Sequence, residues 1–331
     1  TAAPRLRSIA LARSAVGCVW SVKPGATNVP PEDGVFAALH GRWGEVKRSG
    51  GKGRYNIRLL WLDGGGESDL ISKAELSPVV ASRSDLIEDN SRIEQLGEAL
   101  SGLEILKLDL SDCLFDSSST AAFVASLDWA NTKIHELVLD SNRLTSSNVL
   151  IEADSSAGDS GAEVTTIQRD ISGCKHLAAS LARSCVVRLS LVDCDLSLDA
   201  IVLLSDAVAA MASITEIDLS MNEISIDGGA ALASAIAGSK QLRCIVAGHR
   251  IPVNDATVTM LNLQGKLLGP AQAAIVAGAI PTLPSLTSLN LLRNPIGEDG
   301  LAALLAAVKS SQVRTICGVG EQQRAVDFSG L

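Results

Sequence analysis

The chain has 331 residues, is 47% hydrophobic and 20% charged, and carries a net charge of −9. That balance suits about two packed domains and excludes a disordered chain, and no apolar run reaches the roughly 18–20 residues of a membrane span. Residues 1–80 hold 11 Lys/Arg against 7 Asp/Glu, net +4, and the remainder holds 17 against 30, net −13, so the two parts present different surfaces.

Residues 1–14 are basic, with Arg5, Arg7 and Arg13 ahead of the first acid, Glu32. They read as a strap lying on the folded domain; the remnant of an organelle transit sequence is the other reading. Residues 15–80 hold five of the nine aromatics: Trp20, Phe36, Trp43, Tyr55 and Trp61. Here 41–47 reads as a strand, 49–53 as a turn and 55–61 as the next strand, with a tight turn at 63–66 before 68–71. An antiparallel meander, closed into a small barrel, is expected. The Gly41-x-x-Gly44-x-Val46 strand, the Tyr55–Trp61 strand and the Asp63-Gly64 turn resemble Tudor-like domains. That resemblance implies a peptide- or nucleic-acid-binding module, with Trp43, Tyr55 and Trp61 as a cage for a methylated cation; the same rings also read as barrel core. Lys47, Arg48, Lys52, Arg54 and Arg58 surround the hairpin and read as a solvated, edge-protecting face. Phosphate binding is the lesser reading, and nucleic acid is not expected among the partners.

From residue 86 onward one phrase recurs: two inward Leu-type residues followed by Cys or Asn. It occurs around Leu108/Cys113, Leu137/Asn142, Leu189/Cys194, Ile217/Asn222 and Leu289/Asn294. Aligning Leu108, Leu137, Leu189, Ile217, Ile245, Leu261, Leu289 and Ile316 gives steps of 29, 52, 28, 28, 16, 28 and 27 residues. Alternation marks a strand, and stretches such as 198–211, 227–238 and 299–308 have helical spacing. Strand then helix, repeated in parallel, builds a solenoid with its strands on the concave side. The Asn caps backbone where the chain leaves the strand, and Cys fills that slot less effectively.

The period of about 28, the Cys/Asn alternation and Gly297-x-x-Gly300 resemble leucine-rich repeat proteins of the ribonuclease-inhibitor-like subclass. The expected fold class is therefore α/β, a leucine-rich repeat horseshoe over 86–331 preceded by a small antiparallel β-barrel. Two departures stand out. The 52-residue step contains a Ser/Asp/Gly-rich stretch at about 151–170, read as a loop insertion in preference to a degenerate repeat. The 16-residue step is too short for a helix and has Arg250 and Lys266 in place of Asn, with Pro252 nearby, so the solenoid is expected to kink there. The phrase at 313–331 echoes 242–265, and the native chain is expected either to end in a minimal cap or to continue.

Chemistry is sparse. The four His are far apart, no Cys-x-x-Cys exists, Gly50–Gly53 lacks phosphate-loop spacing, and Gly158-Asp-Ser-Gly161 lies outside a protease-like context. No cofactor, metal or enzymatic activity is expected. Seven scattered Cys do not form a disulfide framework and suit a reducing compartment, cytoplasmic or organellar. Outward positions of the strands give a candidate protein-binding surface of Asp109, Glu136, Asp140, Arg188, Glu216, Asp218, Asn262 and Asn290. The expected function is an interaction scaffold with protein partners, as a peripheral subunit of a larger complex. A regulator of a small GTPase or nuclease, and a methylated-peptide reader, are the alternatives.

Overall fold

The computed structural model describes residues 8–11, 20–22, 36–39, 42–49, 56–61, 79–80, 86–152, 164–317 and 319–320, with side chains for 8–11, 89–145 and 169–317. The chain opens with β1 (Ser8–Ala10), β2 (Trp20–Val22), β3 (Phe36–Leu39), β4 (Arg42–Ser49), β5 (Asn56–Trp61), β6 (Val79–Val80) and β7 (Leu86–Glu88). An antiparallel sheet runs β5–β4–β3–β6, and β2 pairs separately with β7. The expected hairpin is the β4–β5 pair, with Lys47 opposite Arg58 and Gly44 opposite Trp61. β3, β4 and β5 make a meander, with β6 added at the β3 edge, and these pairings do not by themselves close a barrel. The expected strand at 68–71 lies outside the described residues.

The repeat region follows: α1 (Ser91–Ser101), β8 (Lys107–Asp109), α2 (Ser117–Ser126), β9 (Glu136–Val138), β10 (Ser146–Glu152), β11 (Val164–Asp170), α3 (Ser172–Leu181), β12 (Arg188–Ser190), α4 (Leu198–Ala210), β13 (Glu216–Asp218) and α5 (Ile226–Gly238). Then come β14 (Cys244–Val246), β15 (Arg250–Pro252), β16 (Met260–Asn262), α6 (Pro270–Ala279), β17 (Ser288–Asn290), α7 (Gly297–Lys309), β18 (Thr315–Ile316) and β19 (Val319–Gly320). One sheet has the order β1-β8-β9-β12-β13-β14-β15, parallel from β1 to β14. Its register puts Leu108, Leu137, Leu189, Ile217 and Ile245 in one buried row. β1 therefore belongs to this sheet, not to the meander that follows it. Ile9 lies opposite Leu108, and the Leu11 amide donates to the Asp109 carbonyl at 2.9 Å.

β8, β9, β12, β13, β16 and β17 each lead into a left-handed residue: Asp112, Ser141, Asp193, Met221, Gly265 and Arg293 all have φ between 50° and 64°. The Asn slot then closes the turn of the preceding repeat. Asn142 Oδ1 accepts the amides of Cys113 and Phe115, both at 3.0 Å, while its Nδ2 donates to the carbonyls of Leu110 and Leu139, both at 2.8 Å. Asn222 repeats the pattern on Cys194, Leu196, Leu191 and Leu219. A Cys in the slot makes fewer bonds: the Cys194 thiol donates to the Leu139 carbonyl at 3.2 Å, and Cys113 donates to Leu11 at 3.0 Å. Repeats without Asn take a second left-handed residue, at Leu114, Asp195 and Leu267. Burial pushes the Cys194 thiol well above its usual range, so it serves as a donor rather than a nucleophile.

The long step is one repeat lengthened by a hairpin. β10 and β11 pair antiparallel over seven residues each, while β9 and β12 remain direct neighbours, Leu137 opposite Leu189. At the 16-residue step the chain reverses: β15 folds antiparallel onto β14 around Gly248 (φ 79°), and β16 opens a new sheet with β17, β18 and β19. β18 and β19 form the same kind of hairpin. The helix layer does not break. A Cβ on Gly229 would lie 2.5 Å from the Ala271 carbonyl, and one on Gly278 2.6 Å from Ala233 Cα, so α5 and α6 pack backbone to backbone. The short turn Ile280–Thr282 helps hold the junction: Thr282 Oγ1 accepts from the Asn254 amide, and Asn254 Nδ2 donates to the Ser239 and Leu242 carbonyls.

Candidate functional site

The outward residues of β8, β9, β12 and β13 are brought side by side by register and line one open groove of about 310 Å³. Asp109, Glu136, Asp140, Arg188, Glu216 and Asp218 all border it, with Lys107, Ser111, Val138 and Ser190. Its charged lining is five acids against two bases, a net charge of −3. Asn262 and Asn290 are elsewhere, on β16 and β17 of the second sheet, directly opposite one another.

Several of these side chains also build the fold. Asp109 Oδ1 accepts from the Ser111 amide at 3.1 Å and its hydroxyl at 2.6 Å. Asp218 Oδ1 accepts from the Ser220 amide at 2.9 Å. Asp140 Oδ1 reaches across to β12, accepting from Ser190 Oγ at 2.6 Å and the Val192 amide at 2.9 Å. On the second sheet, Asn262 Oδ1 accepts from Gln264 N and Asn290 Oδ1 from Leu292 N, both at 3.2 Å. An acid or amide between the two inward residues thus caps the amide two positions on, an Asx turn repeated along the molecule.

Ion pairs cross the strands. Lys107 Nζ meets Glu136 Oε1 at 2.6 Å and Arg188 Nη2 meets Glu216 Oε1 at 3.1 Å. Arg250 clasps Glu216 with both guanidinium nitrogens, each at 2.9 Å, the bidentate geometry that arginine favours. The Arg250 hydrogen bonds, aided by Arg188, hold the Glu216 carboxyl below the usual carboxylate range. In sequence Arg250 stands only as a missing Asn; its partner lies 34 residues earlier and no local spacing announces it.

Residues 210–233 and 282–305 match the Leucine Rich repeat family. Each match spans a parallel strand, its slot Asn (Asn222 or Asn294) and the start of the next helix. These segments are leucine-rich repeats. Leucine-rich repeats generally mediate protein–protein contact and are typically not enzymes. No curated protein matches the chain. Among the described residues, no group of His, Cys, Asp and Glu is placed to hold a metal ion, the cysteines form no disulfide, and no helix is long and apolar enough to cross a membrane. The expected aromatic cage falls outside the described residues: Trp43 and Trp61 lie on β4 and β5, but Tyr55 and all three side chains are not among them.

Proposed function

We propose that this chain is a non-enzymatic interaction scaffold of the ribonuclease-inhibitor-like subclass, whose concave leucine-rich repeat groove docks a basic segment of a protein partner. One observation carries the reading. The same turn is capped by Asp109 and Asp218 on the first sheet and by neutral Asn262 and Asn290 on the second. The turn needs only an oxygen acceptor, so the negative charge of the first sheet is surplus to folding and is free to steer a cationic partner. The alternation Cys113, Asn142, Cys194, Asn222 supports the subclass.

The test replaces Asp109, Asp140 and Asp218 by Asn together, which keeps the Oδ acceptor and removes the charge. Native affinity purification should recover a partner with the unaltered chain in low salt, lose it at high salt, and lose it with the triple variant at unchanged melting temperature. Recovery of the unaltered chain as a lone monomer, or a partner indifferent to the three substitutions, would sink the proposal.

A further inference from the structure

Leu204, Leu232, Val276 and Leu304 hold the same buried inward position on α4, α5, α6 and α7, so the four helices align residue by residue. Three positions earlier stand Ile201, Gly229, Ala273 and Leu301; one position later stand Ser205, Ala233, Ala277 and Leu305. On the earlier helices this is the face that meets the next helix. Gly228 lies against Ile201, Gly229 against Ala271, Gly278 against Ala233, and Gly300 against Ala273. Contact there is close enough that Ile201 is 1% exposed and Ala273 0%, whereas Leu301 is 47% exposed and Leu305 45%. α7 is the last described helix, so its seam face has nothing on it among the described residues.

The charges beside that face say what fits it. At about 100° per residue, Glu298, Leu301, Leu305 and Lys309 fall within roughly one quarter of the helix circumference, and all four are exposed. The face reads acid, leucine, leucine, base along the axis. Turned end for end, the same face is its own complement. Two α7 helices laid antiparallel bring Leu301 of one copy against Leu305 of the other. The same register brings Glu298 beside Lys309 at both ends, the self-complementary arrangement that a twofold contact requires.

We propose that α7 is a self-association surface and that its occupant is the α7 of a second copy of this chain, packed antiparallel about a twofold axis. Two Leu per copy, with the partly buried Val308 alongside, make a small apolar centre. The contact therefore belongs at the weak end of specific interfaces, below about 1,200 Å², and depends on concentration.

Light scattering on the full chain across a wide concentration range tests it. The unaltered chain should shift from monomer to dimer as concentration rises. Leu301→Asp with Leu305→Asp should stay monomeric with an unchanged circular-dichroism spectrum, since both positions are half-exposed. Glu298→Lys and Lys309→Glu should each weaken the dimer, and the two together should restore it, a rescue that general loss of stability would not produce. A monomer at every concentration, a dimer that survives the paired Asp substitutions, assembly beyond a dimer, or absence of rescue by the charge reversal would each overturn the assignment.

Discussion

The two sheets of the repeat region use one backbone plan and dress it differently. β8 to β15 carry Lys107, Glu136, Arg188, Glu216 and Arg250 on their outward face, linked by ion pairs across strands. β16 and β17 carry Met260, Asn262, Ser288 and Asn290, and among the described residues the comparable cross-link is a hydrogen bond between neutral amides, Asn290 Nδ2 donating to Gln264 Oε1 at 3.1 Å. Both sheets bury the same leucine row and cap the same turns. What differs is confined to positions that folding leaves open, which is where selection for a partner can act.

The slot asparagines should break the likeness most strongly. Asn142→Ala removes two acceptor and three donor bonds in the buried first sheet, stranding the Cys113 and Phe115 amides, and should cost about 3–5 kcal/mol in chemical denaturation. Asn294→Ala strands a partly exposed turn, where the acceptor bond is to Leu268 N alone, and should cost less, about 1–3 kcal/mol. Equal losses would mean that the two sheets are held alike.

Gly278→Ala tests whether the helix layer is what joins them. The added methyl meets Ala233 Cα and Cβ at 2.6 Å, and overpacking of this kind costs about 1–3 kcal/mol. Calorimetry should show the unfolding transition broaden or split; a single sharp transition at the original temperature would show that the seam yields easily.

The ion pairs should matter less. Arg250→Ala should destabilise by about 0.5–1 kcal/mol, since the guanidinium is largely exposed. Because the folded Glu216 pKa is depressed, its contribution is complete above the ordinary carboxylate range and is lost as pH falls through the folded value. Melting temperature against pH should therefore fall less steeply on the acid side in Arg250→Ala than in the unaltered chain. Smallest of all, Leu267→Gly should stabilise the second sheet by a few tenths of a kcal/mol. It relieves a left-handed residue (φ 56°) that is 82% exposed and buries nothing, against the entropy of the new glycine.

The repeat strands and the alternating slot were legible because inward leucines at period two and a capping Asn are local patterns. The hairpin insert was half legible: the Ser/Asp/Gly run at 151–170 marked an excursion, but the paired strands begin at Ser146 and no composition signal sets that edge. The reversal at β14–β15 was legible as a broken step, with Arg250 and Lys266 in place of Asn and Pro252 nearby, though not as a hairpin. Left-handed turns at Met221, Leu267 and Leu114 were not, because those residue types give no sign of positive φ. Nor was the clasp of Arg250 on Glu216, or the dual use of Asp109 and Asp218 as turn caps and surface charges. Each depends on which strands become neighbours.

The placement of β1 bears on any attempt to dissect the molecule. From sequence the repeat region is expected to begin at residue 86; in space the sheet of its first strands begins at Ser8, before the antiparallel meander. A truncation starting at residue 86 would strip β8 of its neighbour and bare a row of backbone donors and acceptors, the template on which sheets aggregate. Retaining residues 8–11 through a short linker should keep such a fragment monodisperse where the plain truncation precipitates.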